Sequence, residues 1–142
     1  MSEYNLDRFV QAQENTYLTA LDEVKNGRKR SHWMWFIFPQ IQGLGFSAMS
    51  QHYAISDIDE ATCYLKHDVL GRRLTEISEA LLALDIYDAK VVFDKPDDMK
   101  LRSSMTLFAQ VDHAPAVFQK VLDKYFSGIP DKKTLQILGS RS

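Results

Sequence analysis

Apolar residues recur at three- and four-residue steps over most of the chain, the period of helices that bury one face. The first stripe runs through Leu6, Phe9, Val10, Tyr17, Ala20, Leu21 and Val24, with Asn5 or Asp7 placed to cap it and Gly27 to end it. After the turn Gly43-Leu44-Gly45, Ser47 opens a short helix carrying Met49, His52 and Tyr53. Asp57 opens the next, through Ile58, Ala61, Cys63, Tyr64 and Leu65. Asp68 heads a longer stripe of Leu70, Leu74, Ile77, Leu81 and Leu84, whose Arg72, Arg73, Glu76 and Glu79 form a solvated charged face. Asp97 caps a helix through Met99, Leu101, Met105, Phe108 and Val111. Pro115 stands in the first turn of another, through Val117, Phe118, Val121, Leu122, Tyr125 and Phe126. Asp131 caps a last short helix from Thr134 to Leu138, before a polar tail.

Two stretches depart from this period. Ser31-His32-Trp33-Met34-Trp35-Phe36-Ile37-Phe38-Pro39-Gln40 holds both tryptophans and is apolar without interruption from Trp33 to Phe38. Such a run suits a buried strand as well as a buried helix. No second strand pattern lies nearby to satisfy its backbone groups, so it reads as a short buried helix, capped by Ser31 and ended at Pro39. The rest of the chain is arranged around this plug. Ala89-Lys90-Val91-Val92-Phe93 stays open between a strand and one helical turn, and Lys95-Pro96-Asp97-Asp98 breaks the chain after it. The layer rules then give an all-α fold, a single compact helical domain over residues 1–142 with roughly eight mostly short helices.

Composition agrees. A chain of 142 residues, 45% hydrophobic and 25% charged, buries enough surface to need no staple. A net charge of -2 sets up no basic field for nucleic acid or anionic lipid. The cluster Lys25, Arg28, Lys29 and Arg30 reads as solvated charge at a helix C-terminus, with nucleic acid ranked last among the partners weighed. Cys63 stands alone, which excludes an internal disulfide and a multi-cysteine metal site, and it reads as an inert buried thiol. Met1-Ser2-Glu3-Tyr4-Asn5 lacks the pattern of a secretory signal, and the apolar run of the plug is far too short to cross a bilayer. The expectation is a cytoplasmic protein with no membrane partner.

Strong catalytic motifs are missing: no G-x-x-x-x-G-K-[ST], no G-x-G-x-x-G, no H-E-x-x-H and no G-x-S-x-G. His32, His52, His67 and His113 show no metal-ligand spacing, so neither a metal nor a cofactor is expected. Three polar groupings remain. His32 and Gln40 flank the plug; they either satisfy backbone groups inside the core or line a pocket walled by Trp33 or Trp35. In Lys100-Leu101-Arg102-Ser103-Ser104-Met105-Thr106, the Ser and Thr residues are poor choices for helix stability alone. With Lys100 and Arg102 they suit either a phosphate or carboxylate, or a polar contact between helices. Ser47, Ser50 and Tyr53 are a further possible lining, Ser47 chiefly as a cap. Asp97 and Asp98 are adjacent and diverge on a helix, which makes them poor partners for acid/base work.

The segments Ser31 to Gln40, Gly43 to Ser47, and Pro96-Asp97-Asp98-Met99-Lys100-Leu101-Arg102-Ser103-Ser104-Met105-Thr106-Leu107-Phe108 resemble the signatures of an uncharacterised bacterial domain-of-unknown-function family. Its members sometimes carry the label "calpastatin", which this packed composition does not support, since such an inhibitor is a long disordered chain. The resemblance spans nearly the whole chain and implies an all-helical domain; it brings no activity and no catalytic residues. Asp94 departs from it, at a place where glycine is expected before Lys95-Pro96. The function read from the residues is binding of a small anionic or nucleotide-like ligand by His32, Trp33, Gln40, Lys100, Arg102 and Ser104. If the protein is an enzyme, hydrolysis or N-glycosidic transfer is the expected reaction, by analogy of size and helicity with the NADAR-type N-glycosidases. His32 is then the acid/base candidate, as the residue type that titrates nearest neutrality. The alternative is a protein-interaction or structural domain without enzymatic activity.

Overall fold

The plug settles into its surroundings as a helix, α3 (Met34–Ile37), in a computed structural model that describes residues 4–140. Met1 to Glu3, on which part of the N-terminal reading rests, and Arg141 and Ser142 of the tail lie outside the described residues. Around α3 stand α1 (Asp7–Glu14), α2 (Tyr17–Lys25), α4 (Ala48–His52), α5 (Ile58–Lys66), α6 (Leu70–Ala83), α7 (Ala89–Phe93), α8 (Asp97–Ala109), α9 (Val117–Phe126) and α10 (Lys132–Ser140). The fold is all-α, with ten helices among the described residues where periodicity suggests about eight. The first stripe is split at Asn15-Thr16 into α1 and α2, and the ambiguous segment at 89–93 is helical, started by the Asp88 carboxylate accepting from Lys90 N. Ile41 and Ile55 form an isolated parallel bridge, too short to make a sheet.

Several helix starts differ from the sequence reading. Ser47, Asp57 and Asp131 cap α4, α5 and α10 by accepting from the amides of Ser50, Glu60 and Thr134. Neither Asn5 nor Asp7 caps α1, whose N-cap is Leu6. Ser31 does not cap the plug, because its hydroxyl is committed to Glu23 and α3 starts from Trp33. Asp68 gives way to His67, whose Nδ1 accepts from Val69 N and Leu70 N at the start of α6. Asp97 is already helical, and its carboxylate goes to two lysines instead. Pro115 precedes α9 rather than entering it, and α10 extends over Lys132–Ser140, beyond Thr134 to Leu138.

One core runs through the molecule. Trp33, Met34, Phe36, Ile37 and Phe38 are all buried in it, and together contribute roughly 10 kcal/mol of gross apolar burial. Trp33, Phe38 and Phe93 pack mutually, with ring centroids 5.9 to 6.3 Å apart. Trp33 Nε1 needs an acceptor at that depth and finds Glu23 Oε1 at 2.9 Å. Helix α8 lies at the centre, packed against α5, α7, α9 and α10. It is buried on nearly all sides, so Ser103, Ser104 and Thr106 lie inside. Ser103 and Thr106 return their hydroxyls to the carbonyls of Met99 and Arg102, one turn earlier. Thr106 Oγ1 also accepts from Asp131 N at 2.8 Å, which ties α8 to the start of α10.

Candidate functional site

A cavity of about 630 Å³ opens where the plug, the segment after it and the first turns of α8 meet. This volume falls within the range of small-molecule sites. Trp35 forms part of its wall because it is the one plug aromatic at the edge of the core, packed against it but half-buried where Trp33, Phe36 and Phe38 are buried. The chain leaves the plug through Gln40, pairs with itself at the Ile41–Ile55 bridge, and carries Gln42, Leu44, Phe46, Ser50, Gln51 and Tyr53 around the opposite side. Gln51 Nε2 donates to Phe46 O at 2.9 Å and fixes the loop against α4. Helix α8 supplies Met99, Lys100 and Ser103, and the start of α10 adds Asp131 and Lys133.

The charges are ordered by one carboxylate. Asp97 Oδ1 lies 3.4 Å from Lys100 Nζ, and Asp97 Oδ2 lies 2.9 Å from Lys29 Nζ. Lys100 Nζ also stands 5.2 Å from the centroid of the Trp35 ring, within cation–π range. The cavity therefore presents an aromatic face beside an ammonium, with side-chain amides and hydroxyls opposite. Asp131 Oδ2 accepts from both the amide and the hydroxyl of Thr134, which fixes its carboxylate at the start of α10.

On the other side of Trp35 and Pro96, which both concavities share, lies a second cleft of about 360 Å³. The loop from Arg28 to His32 and the segment from Asp94 to Asp97 line it. Glu23 shapes that loop. Its Oε1 accepts from Arg30 N, Ser31 N and Trp33 Nε1, and its Oε2 accepts from Ser31 Oγ at 2.6 Å. Burial pushes the Glu23 carboxyl up, but the bonds from Ser31, Arg30 and Trp33 outweigh it and hold the group below the ordinary carboxylate value.

The structure brings only part of the sequence-predicted set together. Gln40 and Lys100 line the larger cavity, with Ser50 and Tyr53. His32 is exposed in the second cleft. Trp33 is fully buried, so Trp35 takes the wall position. Arg102 turns the other way and donates to the carbonyls of Ile129 and Pro130, both at 3.0 Å. Ser104 is fully buried with no hydrogen-bond partner and reaches neither concavity. Ser47 is occupied as a cap. Gln42, Gln51 and Lys133 carry no mark in the sequence: they are exposed polar residues in a loop, on the five-residue α4 and at the start of α10, where no apolar period singles them out. Glu23 is unmarked too: it sits in an apolar stripe and shows its role only through contacts made after the turn.

Among the described residues, no three His, Cys, Asp or Glu side chains converge as metal ligands. No helix among them is long and apolar enough to cross a membrane.

The class of protein is set by the fold, a single all-α domain packed around a central buried helix. The chain belongs to the DUF1810 family, described as a protein of unknown function, whose model matches residues 3–138. It is also similar to a solved structure, the conserved hypothetical protein Rv1873 from Mycobacterium tuberculosis. The two share 43% sequence identity over 97% of this chain and 99% of that one, with a TM-score of 0.95. No curated protein matches the chain.

Proposed function

We propose that the protein binds a small anionic ligand carrying a flat ring, a nucleotide-like compound, in the larger cavity. The observation that carries this reading is the placement of Lys100 Nζ over the Trp35 ring at 5.2 Å, inside a concavity lined by Gln40, Gln42, Gln51 and Ser103. A ring stacks on Trp35, the amides read its polar edge, and Lys100 with Lys133 meets negative charge. Binding of an anion frees Lys100 from its contact with Asp97, which then stays paired with Lys29 alone. A hydrolytic or N-glycosidic reaction is the further step of this reading. Its acid/base group would have to reach across Trp35 from His32, since the cavity itself holds no histidine.

The test is thermal unfolding against nucleosides, nucleotides, sugar phosphates and small carboxylates. A ligand that binds only the folded state, at a hundredfold excess over its dissociation constant, adds about 2.7 kcal/mol. The expected result is a shift with a ring-bearing anion that Lys100→Ala and Trp35→Leu both reduce. A shift untouched by both substitutions would put the ligand elsewhere. A second reading, a protein-docking face, draws on the exposed Phe46 and Met99 that line the cavity. It predicts capture of a protein partner that Phe46→Ser abolishes, with no response to small anions.

A further inference from the structure

The chain carries a net charge of -2, yet the second cleft gathers Arg28, Lys29, Arg30 and Lys95 against only Asp94 and Asp97. The two carboxylates are already matched: Asp94 lies 3.3 Å from Arg28 Nη2, and Asp97 lies 2.9 Å from Lys29 Nζ. Among the described residues, no acceptor meets the Arg30 guanidinium, the Lys95 ammonium or the His32 ring, and all three are exposed. These donors belong to two different segments, converging on one cleft whose wall is the reverse side of Trp35.

The loop that presents them is preformed. Four successive amides point inward: Arg28 N to Glu23 O, Lys29 N to Val92 O, and Arg30 N and Ser31 N to the Glu23 carboxylate. With its backbone donors spent on the core, this loop has only side chains to offer the solvent. The backbone that carries Arg30 and His32 is set by a buried carboxylate and needs no ligand to form, which lowers the part of the entropic cost of binding that comes from ordering the loop.

We infer that this cleft is a phosphate subsite, holding the diphosphate of a ligand whose ring rests in the larger cavity, with Trp35 as the ridge between the two. The ring half rests on the function proposed above; the phosphate half stands on the cleft alone. Two unneutralised cations with a histidine beside them suit a multiply charged phosphate better than a single carboxylate. Joining the two fragments makes the second contact intramolecular, so the joined ligand exceeds either fragment in affinity.

The experiment is calorimetric titration of the full chain with pyrophosphate, adenosine and ADP, repeated on the double variant Arg30→Glu, Lys95→Glu. Both side chains are exposed and unpartnered, and circular dichroism with thermal unfolding checks that the fold is kept. Pyrophosphate is expected to bind the wild type and to lose about tenfold or more in affinity in the variant. ADP is expected to bind more tightly than adenosine, and that advantage is expected to vanish in the variant. No binding of pyrophosphate, or equal binding to both proteins, overturns the subsite. An ADP advantage that survives the charge reversal also overturns it, by placing the phosphates at Lys100 and Lys133. Adenosine separates the two claims. If it binds both proteins alike while pyrophosphate binds neither, the subsite fails and the larger cavity keeps its assignment. If pyrophosphate behaves as expected while adenosine and ADP show no ring contribution, the cleft stands as an anion site and the bridging ligand is overturned.

Discussion

Trp33 Nε1 and Glu23 Oε1 meet at 2.9 Å inside the protein, so the plug's largest fully buried side chain is tied to a carboxylate on α2. The same oxygen takes two amides of the intervening loop. Removing the carboxylate leaves buried donors without a partner, which costs about 3 kcal/mol or more where hydrogen bonds to a charged group are lost. Glu23→Ala is expected to lose that amount in urea unfolding, and Glu23→Gln, which keeps one oxygen, about half as much. A Glu23→Ala protein within about 0.5 kcal/mol of wild type would show that the bonds carry no net stability.

Acid should act through the same residue. Its carboxyl is held below the ordinary value of about 4.3, so the folded protein releases this proton more readily than the unfolded chain. The stability it contributes is complete above the unfolded value and disappears as pH falls through the folded one. Urea midpoints measured from neutral pH down to about 3 should therefore fall more steeply for wild type than for Glu23→Gln. Parallel curves would remove Glu23 from the acid sensitivity.

Asp94 has φ 63° and ψ 171°, a region that belongs almost entirely to glycine, and it is the position where the family signature leads one to expect glycine. Holding a side chain there costs on the order of 1–3 kcal/mol. Against this stand a bond from Lys95 N and an exposed ion pair with Arg28, the latter worth at most about 1 kcal/mol, and the extra freedom of glycine in the unfolded chain, worth about 0.5–1 kcal/mol. The two sides are of similar size, and relief of strain wins where the strain lies in the upper half of its range. Asp94→Gly should gain up to about 1 kcal/mol, and Asp94→Ala, which keeps the strain and loses the contacts, should be less stable than wild type. The opposite order in urea unfolding would mean that the contacts outweigh the backbone.

The Ser and Thr residues of α8 should part company under substitution. Thr106 links two helices, and Thr106→Val leaves Asp131 N without its acceptor, at an expected cost of about 1–2 kcal/mol. Ser104 is buried with no partner, so Ser104→Ala should be neutral or stabilising by a few tenths of a kcal/mol, roughly the relief of a stranded hydroxyl. If both lose stability equally, the difference in their bonding is not what governs them.

The tryptophans supply an internal check on the cavity. Trp33 is fully buried, and Trp35 is half-buried at the wall. Acrylamide should quench wild-type emission mainly through Trp35, and Trp35→Phe should leave emission that resists quenching. Strong quenching in Trp35→Phe would mean that the plug opens.

Much of the fold was legible because the apolar stripes of α5, α6 and α9 carry the helical period without interruption. The plug was legible as a helix through its lack of any strand partner. What escaped notice was local competition for hydrogen bonds. Ser31 and Asp97 have the right chemistry to cap, but each is taken by another side chain, Ser31 by Glu23 on the preceding helix and Asp97 by the distant Lys29 and the neighbouring Lys100. The candidate site was half legible for a related reason. Gln40 and Lys100 stand out as polar residues beside apolar ones, whereas the choice between Trp33 and Trp35 depends on which face of a four-residue helix meets the core. Arg102 was drawn into the set by its place next to Lys100, and only its bonds to Ile129 and Pro130 show that it braces a turn.

Between Ile41 and Ile55 the chain makes an excursion in which no residue is buried, although it forms an entire side of the larger cavity. It is held from outside its own sequence, by Arg8 donating to the carbonyls of His52 and Ala54 and by the packing of Tyr53 on Phe9 and Phe36. One side of the cavity is thus built on residues outside the core, and the other on the plug and α8, which belong to it. The excursion's anchors are few: Tyr53 and Leu44 lean on the core, while Gln42, Phe46, Ser47, Ala48 and Met49 stay exposed, so a change at Gln42 or Phe46 alters the cavity wall without opening the core.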